Sequence, residues 1–137
     1  AARACVAIAD LDHFKLVNDA HGHDAGDRVL TAAAASLRAG LRGIDLVARL
    51  GGDEFGLLLD VPDAAVAAIV LDRLRQSLPE DVERTAGHRV TMSVGWRLGP
   101  AADGEPKTAF ALADAALGQA KRAGRDRIHG PTSENAT

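Results

Sequence analysis

Asp53 and Glu54 are adjacent carboxylates that follow two glycines in the stretch Arg49-Leu50-Gly51-Gly52-Asp53-Glu54-Phe55. Apolar, β-prone runs flank it, residues 46–50 before and 55–59 after, which predicts a hairpin with Gly51-Gly52 in the turn. Glycines let a phosphate-bearing ligand approach the backbone closely, and neighbouring carboxylates suit a hard divalent cation. Metal-assisted chemistry on a nucleotide would use both. Taken alone, the same turn also describes an ordinary solvated hairpin tip. A second acidic group, Asp10-Leu11-Asp12, ends the apolar run Cys5-Val6-Ala7-Ile8-Ala9. Carboxylates at the end of a central strand reach the sheet edge where open α/β sheets commonly bind ligands. Lys121 and Arg125, spaced i and i+4, would share a helix face and could hold phosphates. Taken without further context, a basic pair near a helix C-terminus reads first as an ordinary feature that the helix dipole favours.

The elements that position these groups follow from periodicity. The apolar run before Asp10 reads as a strand buried on both faces. Residues 13–19 read as a short helix, with Asp12 as N-cap and Gly22 as its end. A second helix starts near Asp24 and carries Leu30, Ala33, Ala34, Leu37 and Leu41 at helical spacing, with Gly40 and Gly43 at its exit. After the hairpin, Pro62-Asp63 opens a third helix with Val66, Ile69, Val70, Leu74 and Leu78 on its apolar face, and Pro79 is expected to stop it. Residues 88–96 alternate as a strand, 99–106 read as a loop, and Phe110, Ala113, Leu117 and Ala120 line one face of a fourth helix. A short strand at 127–129 precedes a polar tail, 131–137, expected to be flexible. The order βααββαβαβ predicts one α/β (α+β) domain over residues 1–130, with a mixed central sheet flanked by helices.

Composition narrows the class. A chain of 137 residues that is 47% hydrophobic and carries a net charge of -3 has the makeup of one soluble globular domain, not a nucleic-acid polymer binder. No apolar run approaches the roughly 18 residues that would suggest a membrane span, and no leader precedes the first strand, so a cytoplasmic location is expected. The single cysteine, Cys5, reads as a small core residue.

Five ordered motifs resemble the GGDEF domain of diguanylate cyclases. They are Asp10-Leu11-Asp12-His13-Phe14-Lys15 with Asn18-Asp19, then residues 22–27, the hairpin 49–55, Thr91-Met92-Ser93-Val94-Gly95, and residues 120–125. The resemblance implies a fold like the nucleotidyl cyclases and the polymerase palm. It also implies the condensation of two GTP molecules into cyclic di-GMP, a bacterial second messenger, through attack of a 3′-hydroxyl on an α-phosphate.

By the same resemblance Asp10, Asp53, Glu54 and the backbone carbonyl of Leu11 are the ligands of Mg2+ or Mn2+, and Asp53 and Glu54 are the catalytic carboxylates. Asp53 matches the position that helps to deprotonate the attacking hydroxyl. Base recognition falls to Asn18 and Asp27. Guanine offers two adjacent donors that one carboxylate can accept, whereas adenine would leave Asp27 facing a lone pair. Out of this context Asn18 reads as a helix-end residue and Asp27 as a solvated first-turn acid. Lys121 and Arg125 are assigned the β- and γ-phosphates, Gly51 and Gly52 the close backbone approach, and Phe14 and Lys15 the pocket floor. His23 is either a nucleotide contact or a packing residue. Arg42-Gly43-Ile44-Asp45, five residues before the Gly-Gly turn, matches the family's Arg-x-x-Asp inhibitory motif, with Arg73 at the secondary arginine. Cyclic di-GMP would bind there as an allosteric inhibitor. Partners implied are a second copy of the domain, because one domain holds one GTP, and a sensor domain in the parent protein, which could be membrane-tethered.

Departures from the pattern are also present. Family domains usually begin with a helix and an Asp-x-Leu-Thr-Gly-Leu segment that lines the nucleotide pocket, and this chain starts almost at the first strand. His21 stands where an aromatic residue is common, and Gly118 replaces a tyrosine of the last helix. Three readings remain open: a cyclase, a catalytically silent module that senses GTP or cyclic di-GMP, and a dimerisation domain.

Overall fold

The computed structural model describes residues 3–99 and 106–131. Nine elements follow the predicted order: β1 (Arg3–Leu11), α1 (Phe14–His21), α2 (His23–Ala39), β2 (Leu46–Gly51), β3 (Glu54–Val61), α3 (Ala64–Ala86), β4 (Met92–Gly99), α4 (Pro106–Arg122) and β5 (Ile128–His129). They build a five-stranded mixed sheet in the order β2-β3-β1-β4-β5, antiparallel except for the β4–β5 pair. The expected α+β class and mixed sheet are borne out. Of the expected flexible tail, 131–137, all but Pro131 lies outside the described residues, as does most of the 99–106 loop, at 100–105.

β1 is central, so its side chains alternate between two buried environments. Cys5, Ala7, Ala9 and Leu11 join the main core, which includes Leu37 of α2 and Leu71, Leu78 and Val82 of α3. Ile8 joins Ala113 and Leu117 of α4 in a smaller cluster, with Val6 against it. Gly95 of β4 lets α4 lie directly on the sheet, because a Cβ there would run into the backbone of Ala113 and Leu117. Cys5 is an inert core residue, as expected, and burial pushes its thiol up to about 12.

Several expectations need correction. Pro79 does not stop α3; the helix continues to Ala86 and closes at Gly87, whose φ of 79° is left-handed. Burial of Leu74, Leu78, Pro79, Val82 and Ala86 outweighs the amide hydrogen bond that proline lacks. The apolar face of α3 is accordingly set by Ala67, Leu71, Leu74 and Leu78, while Ile69 is exposed. Residues 88–91 precede β4 rather than belong to it, and the strand runs on to Gly99. Phe110 is half exposed, at the margin of α4's buried stripe of Ala113, Leu117 and Ala120.

Because α4 covers β1 and β4, part of the same face over β2 and β3 stays open. Val6, Leu46, Ala48, Leu50, Leu58 and Phe110 border a shallow apolar groove of about 260 Å³ there. No helix among the described residues is long and apolar enough to cross a membrane.

Candidate active site

The β2–β3 hairpin turns through Gly52-Asp53, one residue later than the predicted Gly51-Gly52 turn, with Gly51 opposite Glu54. Gly51 has φ 153° and Gly52 φ 49°, values that side chains with a Cβ rarely adopt. A register shift between Arg49 and Gly51 bulges the strand, and Arg49 Nε closes the turn on the Gly52 carbonyl at 3.0 Å. Arg49 was visible in the motif, but its role was not.

The hairpin tip lies against the end of β1. Asp10 is paired in register with Glu54 on one side and Ser93 on the other, and the Leu11 N–H donates to the Asp53 carbonyl at 3.1 Å. Backbone pairing therefore brings together Asp10, Leu11, Asp53 and Glu54, although Asp10 and Asp53 are far apart in sequence. Asp10 is only 7% exposed, and Lys121 of α4 meets its Oδ2 at 2.5 Å. Burial is the main cause that lifts the Asp10 carboxyl to about 6, and the neighbouring Asp53 charge adds to it against the pull of Lys121. Burial works against the Lys121 charge, but the Asp10 hydrogen bond and the charges of Asp10, Glu54 and Asp53 win and raise its pKa. Among the described residues, no group of three or more His, Cys, Asp or Glu side chains forms a ready metal cage.

Asp12 does not cap α1. The N-cap position is His13, in a left-handed conformation at φ 57° and with no side-chain cap bond. Asp12 is instead buried and accepts from Thr91 Oγ1 and Ser93 Oγ, each at 2.7 Å, and from the Asp126 N–H at 3.0 Å. Competition from these three donors explains why the cap is not made.

α1 and α2 meet at Gly22, φ 90°, and carry the two sequence-predicted base residues, Asn18 and Asp27. Gly26 packs against Asn18 so closely that a Cβ would collide with the Asn18 side-chain oxygen. The next residue in α2 is Asp27, which is exposed. In the sequence Gly26 is one member of the 22–27 motif; its spacing function shows only in three dimensions. Phe14 is buried beneath the same corner, 3.2 Å from that Cβ position. Lys15 and His23 are exposed, and neither hydrogen-bonds to the acidic residues among the described residues.

Arg125 is not on the helix face with Lys121. α4 ends at Arg122, where the Gly124 N–H bonds to the Lys121 carbonyl at 3.2 Å and the Arg125 N–H to Ala120 at 3.0 Å. This six-to-one and five-to-two pattern is a Schellman cap made possible by Gly124, and it ends the helix before i, i+4 spacing can place Arg125 beside Lys121. Arg125 follows it as an exposed, left-handed residue at φ 63°.

Arg42 and Asp45 form a self-contained staple at the start of β2. Asp45 accepts from the Arg42 backbone and guanidinium at 3.0–3.3 Å and from the Asp60 N–H at 3.2 Å, while Arg42 also donates to the Asp60 carbonyl. Burial opposes its charge, yet hydrogen bonds from Arg42 and Asp60 hold the Asp45 carboxyl below its ordinary range. Arg73 is exposed on α3 and, among the described residues, forms no ion pair with Asp45.

This arrangement is the α+β architecture of solved GGDEF domains. The crystal structure of the GGDEF domain of DgcB from Caulobacter crescentus, in complex with c-di-GMP, superposes with a TM-score of 0.83 at 30% identity, covering 94% of this chain and 78% of that one. The chain belongs to the family described as diguanylate cyclase, GGDEF domain, which matches residues 1–127. The probable diguanylate cyclase DgcT of Escherichia coli (strain K12) is 39% identical over 132 residues, spanning 90% of this chain and 28% of the relative. The cyclic di-GMP phosphodiesterase NbdA of Pseudomonas aeruginosa is 39% identical over 122 residues, 88% of this chain and 16% of NbdA. The chain thus spans less than a third of either relative's length.

Proposed function

We propose that this domain, in its full-length context, condenses two GTP molecules into cyclic di-GMP and pyrophosphate. The observation that carries the reading is the meeting of Asp10, Asp53 and Glu54 with Lys121 at the end of β1. A pair of carboxylates close enough for one to raise the other's proton affinity, next to backbone carbonyls, is a hard-oxygen donor set. Mg2+ or Mn2+ fits such a set without a protein cage, because substrate phosphates complete its shell. Asp10, Asp53, Glu54 and the Leu11 carbonyl would hold the ion, which when bound supplies charge neutralisation at the α-phosphate.

The other roles belong to the chain's own side chains. Asp27 accepts the two adjacent donors of guanine, and Asn18, set by Gly26, completes the edge. Gly51 and Gly52 admit the phosphates against the hairpin, and Phe14, Lys15 and His23 bound the pocket. Lys121 exchanges Asp10 for the β- and γ-phosphates, with Arg125 beside it. Asp53, assisted by Glu54, takes the proton of the 3′-hydroxyl; the freed oxygen bonds to the α-phosphorus of the second GTP, and pyrophosphate leaves. Since each domain supplies one GTP, two domains must face each other. Arg42, Asp45 and Arg73 form the product site through which cyclic di-GMP feeds back. A cytoplasmic setting follows from the substrate.

Purified full-length protein incubated with GTP and Mg2+ should yield cyclic di-GMP. Asp53→Asn should reduce the rate by at least about a hundredfold with the fold retained, since it removes a ligand and proton acceptor at a hairpin tip and leaves the core alone. Wild-type turnover in that variant, read by chromatography of the products, refutes the assignment. The name of NbdA motivates a second reading, a silent module that binds GTP or cyclic di-GMP to regulate another domain. Nucleotide binding without product would select it.

A further inference from the structure

Asp126 locks the loop that carries Arg125 to two distant elements. Arg125 and Asp126 have φ values of 63° and 49°, consecutive left-handed residues that both bear a Cβ. Such a pair persists only where surrounding contacts impose it. In the turn that follows β1, the buried Asp12 accepts the Asp126 N–H at 3.0 Å. From α3, Arg75 Nη1 donates to Asp126 Oδ1 at 2.8 Å, and Arg75 is itself fixed by Asp72 at 2.7 Å. Asp12 is aimed by Thr91 and Ser93, so its carboxylate has little freedom to move away. A buried carboxylate that, among the described residues, has no ion-pair partner and is held by two hydroxyls and one loop amide is costly to keep for packing alone.

We propose that Asp12 and Arg75 are positioning residues for the triphosphate: they clamp Asp126 from opposite sides and so fix the backbone from which Arg125 reaches the terminal phosphates. The inference rests on the reading above that Arg125 binds phosphate. An arginine side chain already loses much rotamer freedom when it holds a ligand, and a wandering backbone would add to that loss. Clamping the loop removes the second part beforehand. Neither clamp residue touches the nucleotide, so the effect belongs to the β- and γ-phosphates and not to guanine.

The test measures equilibrium affinities of the full-length protein for a nonhydrolysable GTP analogue and for GMP, with Mg2+ present. Arg75→Met, a change on a helix surface, should weaken the triphosphate about three- to tenfold and leave GMP within about twofold. Combined with Arg125→Ala it should lose no more than Arg125→Ala alone, because both changes act through one contact. Asp12→Asn, which keeps an acceptor for the Asp126 N–H, should retain more triphosphate affinity than Asp12→Ala. Equal losses for GMP and triphosphate, additive losses in the double variant, or unchanged affinity in Arg75→Met would each overturn the clamp. If Arg125→Ala itself leaves the triphosphate unaffected, the phosphate reading fails together with the clamp. A loss in Arg125→Ala beside no loss in Arg75→Met rejects the clamp alone.

Discussion

Gly26 is a residue whose missing side chain decides where Asn18 can sit. Gly26→Ala should gain about 1 kcal/mol of helix propensity and spend a similar amount pushing Asn18 aside, so stability should change by less than about 1 kcal/mol. The displaced amide should lower the preference for GTP over ATP by about tenfold or more, read from paired affinity measurements. Unchanged preference would remove Asn18 from base recognition. Lys121 makes the opposite kind of prediction, with two effects of opposite sign. Its ammonium compensates Asp10 in the nucleotide-free protein, so Lys121→Met should bind Mn2+ about three- to tenfold more tightly without nucleotide while binding GTP more weakly. Titration of Mn2+ followed by electron paramagnetic resonance checks the first effect. The family motifs pointed to the segments of Asp10, Asp53 and Lys121 that the fold brings side by side. They were not enough for Asp12 and Arg125, because hydrogen bonds from Thr91, Ser93 and Asp126 and the cap at Gly124 depend on neighbours that arrive from elsewhere in the chain.

At the scale of elements, the order of strands and helices was readable from periodicity, and the errors lie where burial overrules a local signal. Pro79 is the example: a helix breaker in isolation, it sits within α3 because its flanking residues are needed in the core. The staple before β2 was legible as two charges at fixed spacing, but not as an attachment to β3. Asp45 is held below its ordinary value of 3.8 by Arg42 and Asp60 despite being buried. A depressed carboxyl stabilises the fold above that ordinary value and loses the contribution as pH falls through its lower folded value. Asp45→Asn should therefore cost about 1 kcal/mol at neutral pH, allowing for the exposure of Arg42, and the gap to wild type should close below about pH 4. Urea unfolding at several pH values measures this. A gap that stays constant into acid would mean that the ion pair contributes nothing to the staple.

The whole molecule has one well-filled layer between the sheet and α2–α3, and a second layer that α4 fills only in part. Leu46 is 60% exposed and Leu58 43% exposed on the open portion, where they are cross-strand partners. An apolar strip of this kind recruits dyes and promotes association. Replacing both with lysine should reduce binding of a hydrophobic dye and raise the concentration at which the 137-residue chain aggregates, with stability changed by about 0.5 kcal/mol per site at most. Light scattering against concentration tests it; unaltered aggregation would show that the strip is not the adhesive surface.

The pairing of Asp10 with Lys121 joins residues 111 positions apart, and that of Asp12 with Asp126 joins residues 114 apart. The ends of the described chain must therefore find each other before the cluster around Asp10 exists, with β1 waiting unpartnered on one side until β4 has been made. On a ribosome, the domain emerges with its first strand and hairpin ready and its last helix still inside the exit tunnel. Early-synthesised segments can collapse, but the acidic centre stays unbalanced by its lysine until α4 has been translated. Closure over such a long loop belongs to the slow, late events of folding. Nascent chains halted before α4 should thus be unable to bind GTP, however complete their helices α1 and α2.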